Sequence, residues 1–225
     1  MGGRWRERLA TELILLQRTR STNRTSAAGV MFKRLSDMVL ASLGLFSLSP
    51  LLLAIAIAVK LDSCGPVFYV SERFGKGGRA FRCFKFRTMN ANADDCFSDV
   101  MHLNEREGVL FKASKDPRVT GIGKFLRKYS LDELPQLFNV ILGDMSLVGP
   151  RPPIAREVKQ YAPGHLRRFD VIPGITGLWQ IQARQDPSFD SYISLDLIYI
   201  DNWSPWLDWQ IIAKTIVVVL SGTGC

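Results

Sequence analysis

Apolar residues follow two periodicities along the chain. Between residues 127 and 152 they recur at helical spacing, which predicts an amphipathic helix carrying Leu131, Leu134, Leu137, Phe138, Ile141 and Leu142. Residues 67–70 and 81–87 are short apolar and aromatic runs on either side of Gly75-Lys-Gly-Gly78, and this pattern predicts two strands joined as a hairpin. We therefore predict an α/β (α+β) fold in which helices pack on a short hairpin or sheet.

A longer apolar run extends from Met38 to Val59 and contains 22 residues without a charge. As one helix it would cover roughly 33 Å, which is enough to cross a bilayer. Ser49-Pro50 interrupts the run, and a proline there frees a backbone carbonyl that lipid cannot satisfy unless a side chain such as Ser49 helps. Because both flanks are basic, both ends are expected on the cytoplasmic side. The residues leave open two arrangements, a re-entrant helix bent at Ser49-Pro50 and a kinked span.

The two ends of the chain contain weaker membrane signals. Residues 1–30 carry six arginines against two acids, and they form either a disordered basic tail or a short interfacial helix through Trp5, Leu9, Leu13 and Leu16. Their apolar run at residues 13–16 is too short for a cleaved signal peptide. Near the C-terminus, three tryptophans precede an apolar run at residues 211–220, which predicts either a packed core helix or an interfacial one.

Composition narrows the class of protein. With 225 residues, of which 47% are hydrophobic and 22% charged, the chain is long and apolar enough for one ordered domain with a core. The net charge of +8 indicates an acidic partner, for which nucleic acid, anionic lipid and nucleotide diphosphate all qualify. No recognisable nucleic-acid-binding module is present, so we expect no nucleic acid partner. The four cysteines and two histidines lack ligand spacing, so neither a zinc site nor a disulfide framework is expected.

Two consecutive carboxylates, Asp132 and Glu133, lie at the start of the predicted amphipathic helix. One interpretation is a capping box, in which Ser130 and Glu133 satisfy the first amides of a helix. Pro135 weakens that interpretation because its ring opposes the carbonyl four residues back, so the first turn must loosen or the helix must begin later. The other interpretation is chemical. A helix N-terminus beside Arg127 favours ionised carboxylates, which suits a nucleophile or a magnesium ligand.

Several basic residues are candidate phosphate ligands. Arg151 stands between two prolines, and a guanidinium held that stiffly can bind a phosphate with two hydrogen bonds. Lys85 and Arg87 are two apart on a predicted strand, so they are expected to project from the same face. Arg118 and Arg127 either bind phosphate or pair with nearby acids, and the sequence does not choose between these roles.

At these positions the chain resembles the bacterial sugar transferases, also called monotopic phosphoglycosyl transferases or polyprenyl-phosphate hexose-1-phosphate transferases. The resemblance begins near Met31, which is therefore a candidate natural start. Its ordered motifs are specific together, whereas any one alone is weak. They are Lys85-Phe-Arg-Thr-Met89, Asp116-Pro-Arg-Val-Thr120, Ser130-Leu-Asp-Glu-Leu-Pro-Gln136, Gly143-Asp-Met-Ser-Leu-Val-Gly-Pro-Arg-Pro152 and Pro173-Gly-Ile-Thr-Gly-Leu-Trp-Gln180.

The resemblance implies an activity and a mechanism. The expected reaction moves a hexose-1-phosphate, of glucose or galactose, from a UDP-sugar to a polyprenyl (undecaprenyl) phosphate with release of UMP, and it would initiate exopolysaccharide or other glycan synthesis. Asp132 would be the nucleophile and a Mg²⁺ ligand, although spacing alone supports Glu133 equally. Glu133 would position or deprotonate the acceptor phosphate or aid the metal. Lys85, Arg87 and Arg151 would hold phosphate oxygens.

The resemblance also implies a location at the inner (cytoplasmic) membrane of a bacterium. Residues 31–62 would form a re-entrant helix broken at Ser49-Pro50, and residues 63–225 a cytosolic transferase domain apposed to the membrane. The active site would then lie at headgroup level, where a lipid phosphate and a soluble nucleotide meet. A second copy of the chain, in a homodimer, is a further candidate partner.

Two features keep alternatives open. The chain departs from the family pattern at Gln182-Ala-Arg-Gln185 and at Ser71, which puts the sugar or nucleotide preference in doubt. A protein of another class, a membrane-anchored basic protein without activity, would bind anionic lipid or nucleic acid through its arginines. Its binding would survive Asp132→Asn, whereas a transferase would lose turnover.

Overall fold

The computed structural model of the protein describes residues 27–106 and 110–222. Its α-helices are α1 (Ala27–Ser47), α2 (Ser49–Asp62), α3 (Gly121–Lys128), α4 (Gln136–Leu142), α5 (Ala155–Val158), α6 (Leu178–Gln182), α7 (Phe189–Asp201) and α8 (Pro205–Leu220). Its strands are β1 (Phe68–Phe74), β2 (Ala80–Phe86), β3 (Ser146–Val148) and β4 (Gly174–Thr176), and short 3₁₀ helices lie at Lys76–Gly78, Ser98–Leu103, Leu131–Glu133 and Pro163–Asp170. Helices combined with small sheets confirm the predicted α/β class. The possible interfacial helix from Trp5 to Leu16 lies outside the described residues.

The predicted hairpin is present. β1 and β2 pair antiparallel along their whole length. In the connecting turn, Gly77 and Gly78 have φ angles of 67° and 68°, a backbone conformation that glycine adopts without the steric cost of a Cβ. The Gly75-Lys-Gly-Gly78 segment is therefore a turn, as its position between two apolar runs predicts.

α1 and α2 meet at a break. Their axes are bent by 63°, and α2 begins at Ser49 with Pro50 in its first turn. A proline has no amide hydrogen for the carbonyl of Phe46, four residues back, and the Ser49 hydroxyl donates to that carbonyl instead, at 2.8 Å. The compensating role expected of Ser49 is thus confirmed. Across the described residues, no single helix has the length and apolar character to cross a membrane, and α1 with α2 passes that test only as a bent pair.

The bent pair is apolar on two sides. On its inner side, Ala41 packs with Leu137 and Val140 of α4, and Ile55 and Val59 pack in a second cluster with β2 and α3. On its outer side the pair exposes large apolar side chains: Val30, Phe32, Leu35, Val39, Leu43, Phe46, Leu51, Leu53, Ile57 and Leu61. The pair is therefore joined to the domain through one side and presents an apolar surface on the other.

Charged residues of α1 attach it to the domain near the candidate acids. Arg34 donates to the carbonyls of Val140 and Ile141, at 2.5 and 3.0 Å, where α4 ends and its carbonyls lack helical partners. Asp37 accepts a hydrogen bond from the Ser146 hydroxyl at 2.6 Å. Since α4 directly follows the candidate acids, α1 is tied to the part of the domain that carries them.

A second pair of strands supports the segment Gly149–Pro152. β3 and β4 run parallel, and the amide of Gly149 continues their pairing by donating to the carbonyl of Thr176 at 2.9 Å. A Cβ at Gly149 would lie 2.6 Å from the carbonyl oxygen of Ile172, so a residue larger than glycine would force the two segments apart. This close approach fixes where the following arginine, Arg151, leaves the sheet.

α8 is the helix predicted near the C-terminus. Its inner side contributes Ile211 to a buried cluster with Val148, Leu178 and Tyr199. Its outer side exposes Trp206, Trp209, Ile216, Val217 and Leu220. The helix packs on the domain with one face, as the first alternative predicts, and its other face exposes apolar side chains that include tryptophans. An interfacial location for that face stays a prediction.

Candidate active site

The two candidate carboxylates lie in a tight turn between α3 and α4. Leu131–Glu133 form a single 3₁₀ turn, and α4 begins only at Gln136. Ser130 has a φ of 53°, in the left-handed region, and its side chain makes no capping hydrogen bond. The capping-box interpretation is therefore wrong. Pro135 delays the helix, as the alternative interpretation expects, and the turn is left to present two adjacent acids.

Both acids line a cavity of about 590 Å³. Its walls contain nine Lys and Arg side chains and five Asp and Glu side chains, so positive charge is in excess. Four of these cations favour the ionised forms of the two acids: Lys85, Arg127, Arg151 and Arg184. A concave, cationic cavity of this kind suits a ligand that carries phosphate groups.

Glu133 is held by two cations. Lys85 Nζ donates to its Oε1 at 2.5 Å, and Arg151 Nη1 lies 3.9 Å from the same oxygen. Burial raises the pKa of Glu133, but the charges of Lys85 and Arg151 and the Lys85 hydrogen bond outweigh burial and hold that pKa well below its usual range. Glu133 therefore stays ionised and orients the two cations.

Asp132 lies in a different environment one residue earlier. It is 9% exposed, and its carboxylate makes no hydrogen bond or ion pair with any described residue. Burial raises its pKa and the adjacent Glu133 charge adds to this, while Lys85 and Arg127 act in the opposite direction. No regular helix begins at Asp132, so the cations rather than a helix N-terminus favour its ionised form, and burial opposes them. Ionisation of Asp132 stays a prediction.

Two arginines fix the segment that carries Arg151. Arg168 Nη2 donates to the carbonyl of Arg151 at 2.7 Å, and Arg73 Nη1 donates to the carbonyl of Pro152 at 3.1 Å. Together with the restriction that proline places on the backbone, these bonds hold the Arg151 guanidinium beside Glu133. The predicted stiffness of this segment is therefore matched by contacts that the sequence did not indicate.

Comparison with known proteins decides the family. The family model for bacterial sugar transferases matches residues 28–222. The chain belongs to the bacterial sugar transferase family. The matched region contains the bent pair α1–α2, the hairpin and every residue described above in the cavity wall.

Individual relatives cover the chain to similar extents. Galactosyl transferase CpsE from Streptococcus agalactiae is 45% identical over 193 residues, which are 85% of this chain and 43% of that protein. Exopolysaccharide production protein ExoY from Rhizobium meliloti is 42% identical over 200 residues, 87% of this chain and 88% of that protein. UDP-glucose:undecaprenyl-phosphate glucose-1-phosphate transferase from Klebsiella pneumoniae is 43% identical over 195 residues, 83% of this chain and 40% of that protein. The chain thus spans less than half the length of two of these sugar transferases and most of the third.

Arg184 is a cavity residue of this sugar transferase that the sequence analysis did not select. Arg184 Nη1 donates to the Ser130 hydroxyl at 2.9 Å, and its charge acts to lower the pKa of Asp132 and of Glu133. It lies within Gln182-Ala-Arg-Gln185, the stretch that departs from the family pattern. The arginine in that stretch was the available signal, and its position means that a cation is present at the site despite the departure.

Arg127 is placed at the same wall. Its Nε donates to the Thr88 hydroxyl at 2.9 Å, and its charge favours the ionised form of Asp132. Lys85, Arg127 and Arg151 are thus brought together around the acids, and phosphate binding by them stays a prediction.

Arg118 and Arg87 are engaged elsewhere. Arg118 donates to both carboxylate oxygens of Asp116, at 2.9 and 2.7 Å, so pairing with a nearby acid is the alternative that holds for it. The guanidinium of Arg87 donates to the carbonyls of Ser63 and Cys64, at 2.6 and 2.9 Å, beyond the end of α2. Lys85 and Arg87 both line the cavity, but Arg87 follows the last strand residue and its guanidinium is engaged by carbonyls beyond a helix end, so a shared cationic face stays a prediction. Phosphate binding by either arginine stays a prediction, and it would compete with these bonds.

The residues present fit a magnesium ion in one binding mode. Among the described residues, no group of three or more His, Cys, Asp or Glu side chains is arranged to hold a metal. An all-protein cage is therefore not formed by them. Mg²⁺ is commonly bound through one or two carboxylates plus the phosphates of a substrate, and the buried Asp132 carboxylate without a hydrogen-bond partner suits that mode.

Proposed function

We propose that this sugar transferase moves a hexose-1-phosphate from a UDP-sugar to a polyprenyl phosphate, with undecaprenyl phosphate as the lipid, and releases UMP. The observation that carries the proposal is the Asp132 carboxylate, buried and without a hydrogen-bond partner among the described residues, in a cavity lined by Lys85, Arg127 and Arg184. A largely buried carboxylate that faces a cavity lined by phosphate-binding groups is suited to attack phosphorus. The names of related proteins, which include a UDP-glucose:undecaprenyl-phosphate glucose-1-phosphate transferase, support the same reaction.

The first step forms a covalent intermediate. An oxygen of the Asp132 carboxylate attacks the sugar-proximal phosphorus of the UDP-sugar. The bond from that phosphorus to the bridging oxygen breaks, and UMP leaves with the electron pair. The product is an aspartyl phosphosugar on the enzyme, so a half-reaction without lipid is expected.

The second step regenerates the enzyme. An oxygen of the polyprenyl phosphate attacks the same phosphorus, the acyl phosphate bond breaks, and Asp132 leaves as a carboxylate. The lipid then carries a diphosphate joined to the sugar. Because the acceptor enters after UMP has left, ping-pong kinetics follow.

The neighbouring side chains have separable tasks. Arg151 and Lys85 would hold phosphate oxygens, and Arg127 and Arg184 would stabilise charge close to Asp132. The lowered pKa of Glu133 makes it a weak base, which favours positioning of the cations over deprotonation of the acceptor. Mg²⁺ would be held by Asp132 together with the diphosphate, and when bound it would neutralise charge on the phosphate oxygens.

We further propose that the enzyme docks on the inner membrane from the cytoplasmic side. The 63° bend between α1 and α2 and the apolar outer side of the pair support a re-entrant arrangement in one leaflet. The exposed Trp206 and Trp209 of α8 suit the headgroup level. This arrangement would bring a lipid phosphate and a soluble nucleotide to the same cavity.

The sugar is proposed only as a hexose. CpsE is named for galactose and the Klebsiella pneumoniae relative for glucose, and they are 45% and 43% identical to this chain. Glucose and galactose are therefore the first two candidates, in a pathway that initiates exopolysaccharide or another glycan.

The test is UMP release by detergent-solubilised protein with Mg²⁺ from a panel of UDP-sugars, with and without undecaprenyl phosphate. Multiple turnover that depends on the lipid is expected for one or two sugars, and it would identify the sugar. Release of at most one equivalent of UMP, with or without lipid, would contradict transfer to this acceptor. Well-folded protein that releases no UMP from any sugar would contradict the activity itself.

The pH dependence of the first step should report the environment of Asp132. The nucleophile must be ionised, so activity is expected to fall as the pH drops through the pKa of Asp132. Burial raises that pKa, so the loss should occur above about pH 3.9, the ordinary value for Asp. The burst of UMP release, measured as a function of pH, gives the acidic limb of the pH–activity profile.

Removing the neighbouring charge provides the control. In Glu133→Gln the like charge beside Asp132 is gone and Lys85 is released, so the limb in the remaining activity should move to lower pH. Glu72→Gln, on the exposed edge of the same hairpin, should leave the limb in place. If the acidic limb of the pH–activity profile does not move in Glu133→Gln, a group other than Asp132 controls the loss of activity at low pH.

A further inference from the structure

Arg73 is a cation of the cavity wall whose contacts are all with neutral groups. Its Nη1 donates to the carbonyl of Pro152 at 3.1 Å, and its Nε donates to the Ser71 hydroxyl at 3.2 Å. Within residues 27–106 and 110–222 it has no ion pair with an acid. It nevertheless lines the same cavity as Asp132 and Glu133.

Arg73 has acids near it but no ion-pair partner among the described residues: the charges of Glu157 and Glu133 favour its ionised form only through space. Arg151 lies close enough to lower the pKa of the Arg73 guanidinium further after burial has lowered it. Glu133, the acid that these arginines could share, is already held by Lys85 at 2.5 Å. Glu157 also lines this wall, but one of its carboxylate oxygens accepts from the amide of Ile154 at 3.2 Å. Among the described residues, neither Glu133 nor Glu157 is within ion-pair distance of Arg73, although both favour its charged form.

Two neighbouring guanidiniums, one of them without an ion-pair partner among the described residues, are costly to bury without an anion, because buried charges need partners. Guanidinium groups match phosphoryl oxygens through paired hydrogen bonds. The backbone bond from Arg73 to Pro152 also places it one residue from Arg151, so both side chains start from a fixed position. The geometry is therefore that of a prepared anion site.

We propose that Arg73 and Arg151 together bind one phosphoryl group of a substrate. The identity of that group rests on the proposed function, whereas the anion site rests on the contacts and charges of the wall. The phosphoryl group belongs either to the nucleotide or to the polyprenyl phosphate, which share this chemistry. Arg73 is thus a phosphate-binding residue in addition to the candidates that the motifs contain.

The test uses the full chain in detergent and two matched ligands, UMP and uridine, which differ by the phosphate. In Arg73→Gln the affinity for UMP should fall roughly 10- to 100-fold while that for uridine stays the same, because a charge-assisted contact is lost. Arg73→Lys keeps the charge without the planar fork and should show an intermediate loss. Arg82→Gln is the matched control, since Arg82 is exposed on the neighbouring strand and does not line the cavity.

A second measurement, the KM for a lipid phosphate, distinguishes the nucleotide from the polyprenyl phosphate as the source of the bound phosphoryl group. If UMP affinity is retained in Arg73→Gln but the KM for a short-chain polyprenyl phosphate rises by a similar factor, the site belongs to the lipid phosphate. Thermal unfolding and near-ultraviolet circular dichroism establish that each variant is folded. A folded Arg73→Gln protein with both quantities within twofold of wild type would overturn the proposal, and so would equal losses for UMP and uridine.

Failure of the proposed function would look different. If the wild-type protein binds UMP more tightly than uridine through Arg73 but turns over no UDP-sugar, the proposed anion site is supported and the proposed transferase activity is contradicted. If the wild-type protein binds UMP no better than uridine, and its KM for the lipid phosphate does not depend on Arg73, the proposed anion site is contradicted.

Discussion

Asp132→Asn should reduce lipid-dependent UMP release by at least about 1,000-fold, because an amide cannot attack phosphorus to form the aspartyl phosphosugar. Asparagine has nearly the same size, so the cavity should keep its shape. Since the carboxylate is buried without a hydrogen-bond partner among the described residues, its removal should leave the free energy of unfolding unchanged or slightly raised. The measurements are UMP release and retention of radiolabelled sugar phosphate on the protein.

Two controls make this prediction specific. Asp144→Asn is the same chemical change just after α4, at a residue that does not line the cavity, and it should retain activity. Labelling that survives Asp132→Asn and disappears in Glu133→Gln would assign the nucleophile to Glu133 instead. A basic protein without activity would behave differently again, since its lipid binding would be indifferent to either acid.

Arg168→Met should destabilise the protein by roughly 3–5 kcal/mol, because it leaves a buried charge without its partner. Arg168 donates to Asp196 Oδ2 at 2.9 Å and to the hydroxyls of Tyr161 and Tyr192. Arg168, Asp196 and Tyr192 are buried, and Tyr161 is half-buried. Asp196 Oδ1 has no hydrogen-bond partner, so the loss of Arg168 would leave the whole carboxylate uncompensated. Chemical denaturation gives the change in unfolding free energy.

The preceding residue is the matched control. Arg167 pairs with Asp201 on the surface, where both side chains are more than a third exposed, so Arg167→Met should cost less than about 1 kcal/mol. Adding Asp196→Asn to Arg168→Met should recover part of the loss, since the buried charge is then removed from both sides. Equal effects of the two arginine substitutions would contradict the assignment of a buried network.

Local rules account for the parts of the fold that were predicted. The hairpin follows from two apolar runs around glycines that accept positive φ. The break between α1 and α2 follows from Pro50, which cannot donate to a carbonyl, and from Ser49, which can. The late start of α4 follows from Pro135. Each depends on residues within about one helical turn, and such effects can be read directly from sequence.

The sequence also identified most of the charged residues of the candidate site, but not their partners. Asp132, Glu133, Lys85, Arg127 and Arg151 were selected from motifs, and the structure brings all five to one cavity. The same motifs also selected two arginines whose guanidiniums donate elsewhere, one to its neighbouring acid and one to the end of α2. Residue type and spacing therefore identified the cations, whereas their partners came from packing.

The sequence by itself determined the family, the hairpin, the helix break at Ser49-Pro50 and the pair of acids, because these reside in short motifs and local backbone preferences. Tertiary structure alone decided that Arg168 is buried while Arg167 is exposed, and that Arg73 and Arg184 reach the cavity. It also decided that burial raises the pKa of Asp132 while two cations lower that of Glu133. The physical reason is that desolvation and charge pairing depend on which distant segments pack together, and neither is encoded in the spacing of neighbouring residues.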